Sequence, residues 1–572
     1  MATLRYLKRV NRFPAPHQQH FDSFSYGALL SVSGPRKRHL IEEIRHSWHR
    51  PPGDNAVLET NLMEFGVPLP HRCMDGDYMS ILKKTMDELR PSERIIPLTL
   101  GASMKHPNMP KSTSPGFPWV HQGYHTKGDV FADKMARDHI HRTWDSIGRG
   151  VPWQLPDSLA FHRVIASEKT KSKIRPVWGY PTEVIVEESR FFFPLFPELK
   201  ALSNERDTCY GIGMETALSG HAHLARNFID TQASYLLLSD ISNFDSHVTA
   251  WIIRDVFSHM SDWFDFSKVQ DSEGKIWNVN PTQTARRWKS MISYFINTKI
   301  RTPSGLRFQK AQGVPSGSMF TNLMDTIVNA VQMRTALYRM DSYPVKDYYY
   351  GDDSGVFIRD NIDIERLAEI LLDVFGAVLS VDKSFVTDNI ENIHWLGYYY
   401  RKTGPSRDMK FIIASTLFPD RPVETPLDAA SRLIGQLYST MDPVDSVCFH
   451  DAALYLSREH NFSLRELQES VQSQHPKAVK FLVNLGYDLQ DITLPSVSQD
   501  PFGDRYILSV LPKPSSRNFF RRRDTNFPSH AFIAEAYQNR VLRNRGFKDF
   551  QLYINTHNFY TDLEEDSGYF TA

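Results

Sequence analysis

Hydrophobic positions along the chain follow two different periods. In "DIERLAEILLDVFG" (Asp363–Gly376) Leu367, Ile370, Leu371 and Val374 recur three or four residues apart, which predicts a helix with one apolar face. Similar spacing predicts helices near Asp77 to Leu89 and from about Thr216 to Ile229. "SYLLLSD" is instead a short unbroken apolar run ending in a carboxylate, and reads as a buried strand. "HWLGYYYR" (His394–Arg401) also reads as a strand, and the chain from about Leu417 to about Leu485 is mostly helical in pattern. Residues 1 to about 110 are otherwise polar and punctuated by proline, and "KSTSPGFPW" (Lys111–Trp119) is a stiff, proline-flanked loop. Helices mixed with hairpin-forming strands predict an α+β fold rather than a doubly wound sheet.

Composition narrows the class without naming a function. At 572 residues, with 41% hydrophobic and 23% charged, the chain has globular composition and is long enough for two or three packed units. "FFFPLF" (Phe191–Phe196) is interrupted by Pro194 and is far shorter than the roughly 18 apolar residues of a membrane span. Three widely spaced cysteines make neither a disulfide framework nor a zinc pattern. The basic N-terminus "MATLRYLKRVNRF" reads as a surface-wrapping or disordered arm, or as a transit peptide. Net charge is zero, so any polyanion partner has to be met by a local concentration of cations.

One such concentration exists. In "FHRVIASEKTKSKIRPVWGYP" the cations Lys169, Lys171, Lys173 and Arg175 alternate with period two, so in a strand they share one face. That face is either a solvated edge or a phosphate-binding surface. "GVPSGSMFTNLMDTIVN" (Gly313–Asn329) is a flexible Ser-Gly loop leading into a helix. Leu323, Met324, Ile327, Val328 and Val331 form its apolar stripe, and Thr321, Asp325 and Asn329 a separate polar one. A merely solvated stripe would carry Lys and Glu; this one carries neither and is suited to reading a ribose.

The acids complete the set. Asp240 ends the apolar strand, Asp245 follows after a turn, and Asp352 and Asp353 stand side by side in "YYYGDDSGVF" (Tyr348–Phe357). Adjacent carboxylates repel unless a cation neutralises them. Phosphoryl transfer with two metal ions needs carboxylates from separate strands around ions roughly 3.5–4 Å apart. Asp240 and Asp352 suit that role if the strand end and the hairpin tip are neighbours, with the cations facing the triphosphate.

The ordered run TSPGFP, K-x-K-x-R, D-x4-D, SGSxxTN, GDD, a lysine, then "WLGYYY" resembles viral RNA-dependent RNA polymerases, and in "RPVWGYP" and "GVPSGSMFTNLMDTIVN" most resembles the partitivirus group of double-stranded-RNA viruses. The resemblance implies an α+β right-hand polymerase of fingers, palm and thumb, with an antiparallel palm sheet carrying the catalytic aspartates. By position it divides the chain into 1–110 (N-terminal extension and start of the fingers), 111–234 (fingers, with a palm segment near 180–210), 235–260 (palm), 261–312 (fingers), 313–410 (palm) and 411–572 (thumb and tail). It implies Asp240, Asp352 and auxiliary Asp353 as ligands of two Mg²⁺ or Mn²⁺ ions. Lys383 would be the general acid that protonates pyrophosphate. Lys169, Lys171, Lys173 and Arg175 would contact the triphosphate. Asp245, assisted by Ser316, Thr321 and Asp325, would sense the ribose. Thr113, Ser114, Pro115, Gly116 and Pro118, with Gly317, would border the template, and Trp395–Tyr400 would grip the nascent strand. RNA template and product, nucleoside triphosphates and a capsid protein are the implied partners, in a virion interior or host cytoplasm, with no membrane.

Asp325 departs from the asparagine that many positive-strand RNA virus polymerases carry there. An ionised Asp325 beside Asp245 could only accept hydrogen bonds, and the pair would raise one member's pKa. Arg521–Arg523 in "RNFFRRRD" read either as part of an RNA path or as a solvated basic turn, and the chain ends in the acidic "DLEEDSGYFTA". A reverse transcriptase would have an aromatic residue at Asp245 and no glycine before the Asp pair. A structural RNA-binding protein would leave the acids unexplained.

Overall fold

The computed structural model describes residues 4–14, 18–171, 174–218, 220–400, 405–441, 443–473, 480–492, 494, 497–499 and 506–508. Lys173, Arg521–Arg523 and the acidic C-terminal stretch lie outside the described residues.

The apolar run Tyr235–Ser239 is a strand of a four-stranded antiparallel sheet. It pairs on one side with Asp353–Ile358, which pairs in turn with Lys346–Tyr350, and on the other with Phe385–Thr387. Both faces are covered, which is why the run shows no alternation. Leu237, Tyr349, Val356 and Ile358 face a large core built with the helices Gly76–Glu88, Ala250–Ser261, Thr321–Tyr338 and Ile364–Phe375. Leu236, Leu238, Tyr348 and Phe357 face the helix Gly220–Asp230 through Leu224 and Phe228. The Thr321–Tyr338 helix is buried nearly all round, polar stripe included.

A second, five-stranded sheet runs in the order Leu4–Arg9, Leu306–Lys310, Lys299–Arg301, Ser158–Val164, Ile174–Gly179. A third unit is helical: Met409–Leu417, Pro426–Thr440, Pro443–Glu459 and Leu464–Ser473 share a core with Leu29, Ile41 and Ile44 of the N-terminal helices Ser23–Val32 and Pro35–Ser47. The N-terminal segment therefore starts as an edge strand on the second sheet and then crosses to the helical unit. Among the described residues no helix is long and apolar enough to cross a membrane.

Three local expectations are corrected. Lys169, Lys171 and Arg175 do not share a strand face: Lys169 and Lys171 occupy a turn, and only Arg175 lies in the strand Ile174–Gly179. A backbone bond from Lys169 to Ser47 and one from Lys171 to Glu168 close that turn, so alternation in sequence is not alternation in a strand. "HWLGYYYR" is a hairpin rather than one strand: His394–Trp395 pairs with Tyr398–Tyr399, and Leu396 and Gly397 both take positive φ between them. "FFFPLF" is not interrupted at Pro194, because the helix Thr182–Arg206 continues through Pro194 and Pro197. Burial of Phe191, Phe193, Leu195 and Leu199 holds the helix together across the two missing amides.

Candidate active site

The turn Tyr350-Gly351-Asp352-Asp353 closes the hairpin of the central sheet, with Gly351 at φ 64°. Helix Thr321–Tyr338 holds it from behind. Thr326 Oγ1 accepts from the Gly351 amide at 2.8 Å, and Asn329 Nδ2 donates to the Gly351 and Asp352 carbonyls at 3.1 Å each. The tyrosines brace its flank. Tyr348 donates to Asp207 on one face of the sheet and Tyr349 to Asp347 on the other, each at 2.9 Å. Arg334 clamps Asp347 with two bonds of 2.7 and 2.8 Å. Two of the three consecutive tyrosines thus fasten a strand whose tip carries two acids.

Ser239 pairs with Ser354, which sets Asp240 beside Asp353 at the same end of adjacent strands. Asp352 is exposed to solvent yet protein surrounds it on most sides, as on the floor of a cleft. Burial, then the neighbouring Asp240, raises its carboxyl pKa, with Arg175 opposing. Asp353 is pushed up to about 7 by burial, Asp352 and Asp240. Lys383 Nζ stands 3.0 Å from Asp240 Oδ2. Among the described residues no three acidic, histidine or cysteine side chains form a ready-made metal cage. Mg²⁺ is usually held by one or two carboxylates plus water and substrate phosphate, so an incomplete protein shell fits that ion. The mutual repulsion of Asp240, Asp352 and Asp353 is what a divalent cation relieves.

Asp245 lies in the 3₁₀ turn Phe244–His247 and is pushed up to about 6, by burial and then by Asp352, while Arg175, Asp325 and Arg163 oppose the shift. Burial, then Asp245 and Asp352, raises Asp325 far above the ordinary carboxyl range. The pair shares a hydrogen bond that favours the charged form of Asp245 and the neutral form of Asp325. This environment favours the neutral form of Asp325, the form that could donate as an asparagine amide does.

Arg163 and Arg175 sit directly across from each other on antiparallel strands, so they share a face and both act on Asp245. Arg163 was not among the expected site residues; its signal was a cation in an alternating run, usable only once the strand register is known. Ser316 Oγ accepts from the Trp178 amide at 3.1 Å, and Thr321 Oγ1 donates to the Pro315 and Ser318 carbonyls at 2.8 and 2.9 Å. A Cβ on Gly317 would meet the Trp178 carbonyl at 1.7 Å, so only glycine fits there.

The Thr113–Pro118 loop lies against the same wall. Lys127 Nζ donates to Thr113 Oγ1 and the Ser114 carbonyl at 2.8 and 2.6 Å, and Thr182 Oγ1 donates to the Pro115 carbonyl at 2.8 Å. Gly116 has positive φ, and a Cβ there would reach within 2.5 Å of the Tyr180 carbonyl. On the far side of Asp240, the His394–Tyr399 hairpin brings His394 into its field. Burial lowers the His394 pKa and Asp240 opposes this. Lys169 and Lys171 are exposed, and Lys171 pairs with Glu168 at 3.2 Å.

A profile described as "Viral RNA-dependent RNA polymerase" matches residues 77–424. Three curated relatives carry the name RNA-directed RNA polymerase. That of Atkinsonella hypoxylon virus (isolate 2H) is 27% identical over 325 residues, 50% of this chain and 47% of its own length. That of Cryptosporidium parvum virus 1 (strain KSU-1) is 23% identical, covering 70% of this chain and 78% of its own. That of White clover cryptic virus 1 (isolate Boccardo/2004) is 21% identical, covering 68% and 62%. The chain thus spans about half the length of the first of these relatives. The profile match encloses the acids, the arginines, the Ser-Gly loop and the hairpin described above.

Proposed function

Since the chain belongs to the viral RNA-dependent RNA polymerase family, we propose that it copies RNA from an RNA template, transcribing and replicating a double-stranded-RNA viral genome. In this reading the central sheet is the palm, the five-stranded sheet belongs to the fingers, and the helical unit after residue 410 is the thumb. Nucleoside triphosphates and RNA are the substrates, and a capsid protein is the partner, in the virion interior or host cytoplasm. The observation that carries the proposal is the convergence of Asp240, Asp352 and Asp353 at one end of the sheet, opposite Arg163 and Arg175.

Asp240 and Asp352, with Asp353 in support, would hold two Mg²⁺ or Mn²⁺ ions, which supply activation of the 3′-hydroxyl and neutralisation of the leaving pyrophosphate. Arg175 and Arg163 face the triphosphate, assisted by Lys169, Lys171 and Lys173. Asp245, with Asp325 beside it, accepts from the ribose 2′-hydroxyl. Lys383, 3.0 Å from the Asp240 carboxylate, would pass a proton to pyrophosphate. The Thr113–Pro118 loop and Gly317 line the template's entry, and Tyr399, exposed on its hairpin, meets the nascent strand.

The deciding experiment is incorporation of labelled nucleotides by the full chain on single-stranded RNA, with Mg²⁺, Mn²⁺ or chelator, and with Asp352→Ala in parallel. Metal-dependent synthesis is expected, with the variant below about a hundredth of wild type, since removing a group that acts on transition-state charge costs about 10²-fold or more. A variant that keeps a tenth of the activity would sink this placement of the metal site. Incorporation of deoxynucleotides instead would favour reverse transcription. RNA binding in chelator without synthesis would favour a structural RNA-binding protein.

A further inference from the structure

Two acids are out of place in "VIVEESRFFF": Glu187 and Glu188 lie in an apolar run, and both are fully buried in the helix Thr182–Arg206. Glu187 is answered by Arg190 and Arg287. Among the described residues no cation pairs with Glu188. Its two oxygens accept from Ser318 Oγ at 2.9 Å each, and one accepts from the Met319 amide at 2.7 Å. Those donors form the exit of the Ser-Gly loop, just before the helix Thr321–Tyr338, whose own N-cap Phe320 offers no side-chain acceptor. A carboxyl from a different helix instead fastens the two residues that lead into this N-terminus.

What this holds in place is a junction. Upstream in the same loop, the Val314 amide donates to the Asp245 carbonyl at 2.7 Å and the Gly313 amide to Val248 at 2.8 Å. In the middle, Ser316 is bonded to Trp178 and Gly317 is pressed against it, in the strand that also carries Arg175. At the near end, the fully buried Lys310 donates to the Gly313 carbonyl at 2.8 Å and to the carbonyls of Phe295 and Ile296. One short loop thus connects the turn bearing Asp245 to the strand bearing Arg175. Two buried side chains, Lys310 and Glu188, grip its two ends.

We propose that Glu188 is a positioning residue for nucleotide selection: by anchoring Ser318 and Met319 it sets where the loop, and through it Asp245 and Arg175, meets the ribose and triphosphate. The inference rests on the polymerase reading above. Burial pushes the Glu188 carboxyl up to about 8, opposed by the Met319 amide and the Ser318 hydroxyl. Both protonation states keep the contacts, because the Ser318 hydroxyl donates to an ionised oxygen or accepts from a protonated one. Glutamine reproduces the neutral state, with Oε1 for Met319 and Nε2 for Ser318. Alanine reproduces neither.

The test uses the full chain and steady-state incorporation with ribo- and deoxynucleotides. Glu188→Ala is expected to raise KM for NTP and lower the rNTP/dNTP preference, each about ten-fold, the kinetic equivalent of one lost buried hydrogen bond. Saturated kcat and affinity for template should stay within about three-fold, since the metal carboxylates are untouched. Glu188→Gln should restore both parameters to near wild type. Should Glu188→Ala fail to fold, Ser318→Ala removes the other end of the contact and is expected to shift the same two parameters. A folded variant with unchanged KM and preference, or Glu188→Gln as impaired as Glu188→Ala, overturns the inference while leaving the polymerase reading intact. An inactive wild type overturns both.

Discussion

At the scale of single residues the informative pair is Asp245 and Asp325. An aspartate in place of asparagine looks like a loss of a donor, and it would be one if both acids were ionised. Burial and two neighbouring carboxylates raise the Asp325 pKa instead and favour its neutral form, in which the pair has one donor and one acceptor. It follows that Asp325→Asn preserves the arrangement: the rNTP/dNTP preference is expected within about three-fold of wild type. Asp325→Leu leaves Asp245 without its donor and is expected to lower that preference about ten-fold, as for one lost charge-assisted bond. Competition assays with paired ribo- and deoxynucleotides measure both. A ten-fold loss in Asp325→Asn would show that the acid acts in its charged form.

At the scale of elements the site depends on one helix and one hairpin. The apolar stripe of Thr321–Tyr338 was plain from its spacing, and so was the presence of a polar stripe beside it. What the polar stripe does was not. Asn329 turned out to hold the carbonyls of the Gly-Asp turn, and Thr326, outside the stripe, its amide. Asn329→Ala leaves two carbonyls without their donor, which costs about 1–3 kcal/mol by the usual penalty for unsatisfied buried groups. The expected outcome is a lower midpoint in chemical denaturation and, on the proposed role of Asp352, a kcat reduced about ten-fold, since its carboxylate is then held less accurately. A variant as stable and fast as wild type would mean that the tyrosines alone hold the tip. The single strand expected at His394–Arg401 became a hairpin because Leu396 and Gly397 adopt left-handed backbone. Gly397 suits that conformation; Leu396 gives no such signal, and its turn was missed for that reason.

At the scale of the whole molecule the N-terminal segment links units that are far apart in sequence. Its strand Leu4–Arg9 extends the five-stranded sheet, and its two helices complete the core of the C-terminal helical unit. The junction is fixed by Asp22, fully buried, which caps its helix at Ser25, pairs with Arg432 and donates its amide to the Leu417 carbonyl at 2.9 Å. Breaking one partner of a buried pair costs about 3–5 kcal/mol. Asp22→Ala is therefore expected to lower the thermal midpoint and to raise amide exchange in Ser23–Ser47 and Pro426–Thr440. The central sheet should keep its protection. Equal loss throughout would show that the junction holds the entire molecule and not only its helical unit.

The sequence alone determined what depends on near neighbours and on residue type. The buried run Leu236–Leu238, the periodic helices, the turn glycine at 351 and the order of the acid-bearing segments are all properties of short windows, where side-chain period and backbone sterics act locally. Tertiary structure alone decided what depends on register and burial. Arg163 joins Arg175 only because two strands pair in one register, and Lys169 and Lys171 leave that face because a turn intervenes. The Asp325 pKa rises, and Glu188 reaches Ser318 from 130 residues away, only because folding brings these groups together and excludes water. Charge state and long-range contact are set by surroundings that the linear order of residues does not contain.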